Sequence, residues 1–202
     1  MTKSLLTVCA ASLLACHAGL LRAEESGSAT AYTALRSMGK SLGSDSLNRV
    51  VEVTGRGGTP QPAVWRIVIA NGSQGTSEIK VAGVRIVSQK NFTQPSPLRP
   101  IQLQDLNLDS SGAFEAANEQ ARKAKVPFSS LDYTLRVSSE TGKPVWDLGL
   151  HNDAGARVGG VRLAAHDGKL VAVTGLNQAA PQVAATPVPR TLVSAEADHD
   201  SV

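Results

Sequence analysis

The chain has 202 residues, of which 18% are charged, and its formal net charge is +3. This near-neutral balance and an aromatic content of 3% argue against a nucleic-acid-binding protein, which needs a basic stripe and stacking rings. Both cysteines, Cys9 and Cys16, lie near the amino terminus. The rest of the chain therefore has no disulfide, thiolate metal site or cysteine nucleophile.

Residues 1–23 have the pattern of a secretory signal peptide. A single cation, Lys3, precedes the apolar run Leu5–Leu14, and small residues then lead to Ala23. The run is shorter than the roughly 20 apolar residues that a membrane span needs. We therefore expect an extracytoplasmic protein, either periplasmic or secreted.

Two processing routes remain open for this segment. Cleavage after Ala23 would remove Lys3 and Arg22 and lower the formal net charge from +3 to +1. Alternatively Cys16 is lipidated, because Leu13-Leu14-Ala15-Cys16 resembles a bacterial lipobox. Only the second route would anchor the protein to a membrane.

Composition divides the remaining chain into four segments. Residues 28–93 and 101–176 carry periodic apolar patterns and are predicted to fold. The proline-rich residues 94–100 are predicted to be a linker. Residues 177–202 lack an apolar face and are predicted to form a disordered tail.

The two folding segments contain a repeated pattern. Val81–Val87 reads almost like Val158–Ala164, and Val-Trp pairs at Val64-Trp65 and Val145-Trp146 precede them. In both stretches the apolar alternation changes phase at a glycine, at Ala82-Gly83 and at Gly159-Gly160, which predicts a β-bulge in each third strand. The chain is therefore predicted to use one small unit twice.

In the second unit, Asp109 is a candidate N-cap for a helix over about 111–125, which Pro127 ends. Period-two alternation predicts strands over Leu131–Val137 and around Trp146, and a third strand that reaches about His166. Asp167-Gly168 predicts a tight turn before a fourth strand.

The first unit is predicted to repeat this order. Tyr32, Leu35 and Met38 lie at helical spacing, and strands are predicted over Leu47–Val53, around Trp65, and over about Glu78–Ser88. The glycine-rich Gly55–Gly58 is predicted to be a hairpin turn, since a phosphate-binding loop would need a following helix. Trp65 and Trp146 are predicted to be core anchors.

The predicted fold class is α+β, with two tandem repeats that each pack one helix on a three- or four-stranded antiparallel sheet. The alanine-rich helix, Leu131-x-Tyr133-x-Leu135, Val145-Trp146-x-Leu148 and the closing Asp167–Leu170 together resemble a PepSY-type domain. The second unit carries this pattern more fully than the first. The resemblance implies a small extracytoplasmic module that binds peptides or restrains peptidases, with no catalytic residues.

Few residues are candidates for a functional site. Arg85 and Arg162 occupy equivalent positions of the repeat and could bind a carboxylate or phosphate, although solvated arginines are the simpler interpretation. Asp105-x-Asn107-x-Asp109 is typical of a calcium loop only in part, because the glycine comes two places late and the twelfth position has no acid. A helix cap with a turn explains that segment better, so no metal site is predicted.

We therefore predict an exported, non-catalytic protein without cofactors that binds a peptide or protein partner, with a peptidase as one candidate partner. The first alternative is a hydrolase or metal-binding protein that uses His151, His166 and nearby aspartates. The second alternative is a structural lipoprotein of the cell envelope.

Overall fold

A computed structural model describes residues 28–176, which form two α-helices, three short 3-10 helices and eight strands. The α-helices are α1 (Ala31–Leu42) and α2 (Ser110–Ala124), and the 3-10 helices are Ser44–Arg49, Gly72–Gln74 and Leu103–Asp105. The strands are β1 (Val50–Gly58), β2 (Val64–Ala70), β3 (Thr76–Ala82), β4 (Arg85–Phe92), β5 (Ser130–Val137), β6 (Pro144–His151), β7 (Arg157–Ala164) and β8 (Leu170–Thr174).

All eight strands belong to one antiparallel sheet in the order β4-β3-β2-β1-β5-β6-β7-β8. The two halves of the chain join where β1 pairs with β5, with Val53 opposite Leu135 and Thr54 opposite Thr134. The predicted fold class, two repeats with a separate three- or four-stranded sheet each, is therefore wrong. Pairing β1 with β5 gives their backbone groups ladder partners that two separate sheets would leave exposed at their edges.

Both helices pack on the same face of the sheet. Helix α1 contacts β2, β3 and β4, and α2 contacts β6 and β7. Between them lies a cluster of three rings, Trp65, Tyr133 and Trp146, whose centroids are 5.5 to 6.4 Å apart in edge-to-face geometry. The prediction that Trp65 and Trp146 are core anchors is confirmed, since they are 1% and 0% exposed.

The amino-terminal ends of the two helices meet above this ring cluster. Each indole N–H donates to the carbonyl just before a helix N-cap, Trp65 to Ala29 at 2.6 Å and Trp146 to Leu108 at 2.9 Å. Asp109 Oδ1 accepts from the backbone N–H of Ser110 in α2, at 2.7 Å, and also from that of Tyr32 in α1, at 3.1 Å. One carboxylate therefore satisfies backbone donors of both helices, which the helices cannot satisfy internally.

Several predicted elements of the second unit are confirmed. The helix predicted over about 111–125 is α2, capped by Asp109 and ended by Lys125 in a left-handed conformation two residues before Pro127. The strand predicted over Leu131–Val137 lies within β5, and its alternation matches the burial pattern. Gly168 has φ of 71° in the turn before β8, as the Asp-Gly pair predicted.

The first unit departs from the sequence-based expectation in three places. Residues Ser44–Arg49 form a 3-10 helix, so the first strand begins at Val50 rather than Leu47. The glycine-rich Gly55–Gly58 is not a turn but the end of β1. The predicted third strand over Glu78–Ser88 is two strands, β3 and β4, joined by a turn in which Gly83 has φ of 57°.

The bulge predicted at Ala82-Gly83 is wrong, and the bulge predicted at Gly159-Gly160 lies one residue earlier in β7, at Val158. Gly83 lies in a turn, and Gly159 and Gly160 both pair regularly with β6. Register shifts occur instead opposite the Lys80/Val81 step of β3 and the Leu150/His151 step of β6. The two similar heptapeptides therefore have different structures, because one spans a hairpin and the other lies within β7.

Candidate functional site

The face of the sheet that the helices do not cover is polar. Along β2, β3 and β5, its side chains alternate with the buried ones, as a two-residue period requires. On β2, for example, Trp65 and Ile67 are buried on the helix side, while Arg66 and Val68, which alternate with them, are partly exposed. We call this surface the open face.

The half of the open face built from β1, β2 and β3 is organised around a cation. Arg66 on β2 contacts Glu52 on β1 at 2.8 Å and Glu78 on β3 at 2.6 Å. Partial burial lowers the pKa of Arg66, but the hydrogen bonds to Glu78 and Glu52 outweigh it and raise the pKa overall. Arg66 is therefore held charged and in one orientation by two carboxylates.

The other half inverts this charge arrangement. Asp147 on β6 contacts Arg162 on β7 at 2.5 Å and Arg136 on β5 at 3.2 Å. The hydrogen bond to Asp147 raises the pKa of Arg162. Glu52 and Arg136 are register partners at the β1–β5 junction, so charges of alternating sign cross six strands. We call these six residues the charge ladder: Glu78, Arg66, Glu52, Arg136, Asp147 and Arg162.

A depression of about 850 Å³ lies beside the charge ladder, where β1, β2, β5 and β6 meet the start of β7. Its lining includes Arg56, Asp132, Gly149, His151 and Arg157. His151 Nε2 lies 3.3 Å from Asp132 Oδ2, and Asp132 Oδ1 accepts the backbone N–H of Gly57 at 2.9 Å. Asp132 therefore ties the end of β1 to β5 and β6.

The structure does not bring the two candidate histidines together. His151 ends β6, whereas His166 follows the opposite end of β7 and lies 3.5 Å from Asp167. The length of β6, which has eight residues, separates them, and this is about 24 Å at about 3.4 Å per residue. Among residues 28–176, no group of three or more His, Cys, Asp or Glu side chains could hold a metal ion.

The candidate arginines are also far apart. Arg162 lies on the open face in the middle of β7, bound to Asp147, while Arg85 is the first residue of the edge strand β4. Five strands lie between β4 and β7, which corresponds to roughly 29 Å at about 4.8 Å per strand. They do not form a common site, and Cys16, the candidate lipidation residue, lies outside the described residues.

The calcium-loop residues have separate roles. Asp109 caps α2, the Asn107 side chain donates to the His166 carbonyl at 2.8 Å, and Asp105 ends a 3-10 helix. The prediction of a helix cap at this segment is confirmed.

Sequence reasoning missed the charge ladder and Arg157. The alternation of charged residues with apolar ones in β2, β3, β5 and β6 shows that these charges share a face. It does not show that the two halves of the ladder meet, because that depends on the pairing of β1 with β5.

No protein-family model matches this sequence, and no curated protein matches it. Among solved structures, the chain is similar to a putative lipoprotein from Clostridium difficile 630, with a TM-score of 0.51 and 12% sequence identity. The similarity covers 70% of this chain and 90% of that one. At this identity the similarity concerns the fold alone. Neither helix within residues 28–176 is long and apolar enough to cross a membrane.

Proposed function

We propose that this chain is an exported, non-catalytic protein that binds a polypeptide partner on the open face of its sheet. The observation that carries the proposal is the charge ladder. Its arginines and carboxylates are already fixed by neighbours across six strands, so a partner would have little side-chain freedom to remove when it binds. Fixed charges of both signs favour a partner whose own charges match the pattern.

The breadth of this surface also fits a polypeptide better than a small substrate. Small-molecule sites are concave and bury most of their ligand, whereas the open face extends over a sheet of eight strands. The resemblance to PepSY-type domains suggests the same class of function, including a peptidase as the partner.

Export is part of the proposal. It is supported by the signal-like residues 1–23, by the lipobox-like segment that ends at Cys16, and by the fold shared with a putative lipoprotein. Intact-mass measurement of the mature protein tests it. A mass that begins at residue 24, or at an acylated Cys16, is expected, and an unprocessed chain in the cytoplasm would contradict export.

The open face can be blocked without replacing any residue of the charge ladder. Thr54 and Thr134 are register partners at the centre of the sheet, and tyrosine is well tolerated in strands. Thr134→Tyr should therefore fold and place a ring on the open face. Ser111→Tyr, at an exposed position on α2, adds the same ring on the helix side and is the matched control.

The test is capture of partners by immobilised full-length protein from envelope extracts of the producing organism, and from a panel of secreted peptidases. Titration calorimetry would then measure the affinity of each captured protein. A partner that binds the wild type and Ser111→Tyr with micromolar affinity, but not Thr134→Tyr, is expected. The absence of any micromolar partner, or partners unaffected by Thr134→Tyr, would contradict the proposal.

The edge strand β8 favours a second candidate function, that of a structural envelope component. β8 contains no charged residue, and Leu170, Val171 and Val173 are 47%, 50% and 38% exposed. Uncharged, exposed edge strands tend to pair with other strands. If this is the function, the protein should self-associate in gel filtration, and Val171→Lys should return it to the monomer. A monomer at all concentrations would remove this candidate.

A further inference from the structure

Beside Arg157, the sheet under the depression on the open face consists of two glycines rather than of residues with side chains. Gly149 on β6 and Gly160 on β7 are register partners. Glycine weakens a strand interior, so its presence often marks a place that another group approaches closely. Here that group is the Arg157 guanidinium. A Cβ atom at Gly160 would lie 2.8 Å from Arg157 Nη2, and one at Gly149 would lie 3.7 Å from Arg157 Cζ. The two glycines make room for an arginine lying flat on the sheet.

Arg157 differs from the arginines of the charge ladder in its partners. Arg66, Arg136 and Arg162 each contact a carboxylate. Within the described part of the chain, the guanidinium of Arg157 makes one hydrogen bond, from Nε to the Gly159 carbonyl at 3.3 Å, and contacts no carboxylate. Its two terminal nitrogens therefore keep the paired donors that match a carboxylate.

The other charges of the depression are consistent with an anionic ligand. Arg56, on β1, also lines the depression and has no ion pair with a residue in 28–176. Of the two carboxylates in the lining, Asp147 is held by Arg136 and Arg162. Asp132 lies beside His151 and accepts the Gly57 N–H. Two guanidiniums thus remain to attract negative charge.

We infer that Arg157, supported by Arg56, binds a carboxylate side chain of the polypeptide partner, and hence that the partner presents an acidic segment to this depression. This inference rests on the proposed function and specifies the chemistry of its partner. The hydrogen bond from Arg157 Nε to the Gly159 carbonyl restrains the guanidinium before binding, which lowers the entropy lost when the ion pair forms.

The probe is a fluorescein-labelled peptide of alternating glycine and glutamate, compared with the same peptide carrying glutamine. Fluorescence polarisation with the full-length protein measures both affinities at two salt concentrations. We expect the glutamate peptide to bind at least tenfold more tightly than the glutamine peptide. Its affinity should weaken with salt, as interactions between exposed charges do.

Variants separate a specific site from general surface charge. Arg157→Ala should lower the affinity for the glutamate peptide at least tenfold, and Arg157→Lys should give a smaller loss because it keeps the charge but not the paired donors. Arg36→Ala removes the same charge from an exposed position on α1 and should change nothing. The melting temperature of each variant checks that it folds. If Arg157→Ala does not fold, Arg157→Lys still tests the inference.

The inference is overturned if the two peptides bind equally or not at all, if Arg157→Ala and Arg157→Lys leave the affinity unchanged, or if Arg36→Ala weakens it as much. These results would not contradict the proposed function. A partner that no longer binds the Thr134→Tyr variant could still bind the Arg157→Ala variant. Conversely, glutamate-peptide binding that needs Arg157, without a polypeptide partner, would indicate a small carboxylate ligand and contradict the proposed function.

Discussion

The buried indoles allow a direct test of whether the eight strands unfold as one unit. Trp65 and Trp146 are the two tryptophans of the chain, and they lie in different halves of the sheet with their ring centroids 6.4 Å apart. Trp65→Phe leaves only Trp146 as a fluorescent probe, and Trp146→Phe leaves only Trp65. Each variant therefore has a single fluorescent probe, located in one half of the sheet and packed against the other half.

The expected loss of stability follows from the contacts of Trp146. Its side chain is fully buried, so Trp146→Ala should lower the free energy of unfolding by about 3–5 kcal/mol. Trp146→Phe keeps most of the apolar contact but leaves the Leu108 carbonyl without its 2.9 Å donor, which should cost about 2 kcal/mol. Trp65→Phe should cost a similar amount, because its indole binds the Ala29 carbonyl in the same way.

Urea unfolding followed by tryptophan fluorescence and far-ultraviolet circular dichroism measures these effects. With a slope of about 2 kcal/mol per molar urea, a loss of about 4 kcal/mol lowers the unfolding midpoint by about 2 M. In each phenylalanine variant, fluorescence and circular dichroism should give the same midpoint, as expected for a single cooperative transition.

Two results would refute this reasoning. A midpoint unchanged in Trp146→Ala would show that the ring does not stabilise the core. Circular dichroism with two transitions, only one of which coincides with the fluorescence change, would show that the halves unfold independently in spite of the β1–β5 pairing.

Three further predictions concern single groups. Gly75→Ala should strongly destabilise the protein, because Gly75 has φ of 100° and a Cβ atom there would overlap the carbonyl of the last residue of β4. Gly83→Ala, at φ of 57° with open space around it, should lower the free energy of unfolding by only about 1 kcal/mol. Equal melting temperatures of the two variants would contradict this prediction. Asp109→Ala should cost about 2 kcal/mol in urea unfolding because it removes acceptors from both helices, and a loss below about 0.5 kcal/mol would show that the shared cap is unimportant. Burial, with a smaller contribution from the charge of Asp109, raises the pKa of Tyr32 to about 12, and burial raises the pKa of Tyr133. The stability that the neutral phenols provide is therefore complete below about pH 10, and it is lost as the pH rises through the folded-state pKa values. Absorbance at 295 nm should show phenolate forming near pH 10 in unfolded protein but at higher pH in native protein, and identical titration curves would contradict the burial of both rings.

Patterns between residues close together in the sequence correctly predicted several helices and strands. The helix α2 follows from Asp109 as its cap and from apolar spacing that stops before Pro127, and β5 follows from a strict alternation over Leu131–Val137. Burial of Trp65 and Trp146 follows from the same alternation. These features depend only on residues that are close to each other in the sequence.

The arrangement of the sheet depends on contacts between distant residues, and the sequence has no comparable signal for them. Alternation shows which side of β1 and β5 is buried but not which strand pairs with each edge. The similarity of Val81–Val87 to Val158–Ala164 was misleading because Gly83 forms a turn whereas Gly160 faces Arg157 within a strand. Glycine is compatible with both uses, so only tertiary structure decides between them.

The candidate site was missed for the same reason. The sequence predicts Arg162 as a candidate ligand-binding residue, but its contact with Asp147 follows only from the pairing of β6 with β7. Arg157 is separated from Gly149 by eight positions in the chain, and its position over Gly149 and Gly160 results from a hairpin and a register shift.

Asp109 accepts hydrogen bonds from both helices, and β1 pairs with β5, so each half of this protein depends on the other for backbone hydrogen bonds. A fragment covering residues 101–176 would expose the full edge of Ser130–Val137, and its complement would lose the acceptors for the Ala31 and Tyr32 amides. The fragment covering residues 101–176 should dimerise by pairing this edge with the same edge of a second copy, which would give an eight-stranded sheet from two copies. Proteolysis in the 94–100 connector would for the same reason yield a nicked but still associated molecule.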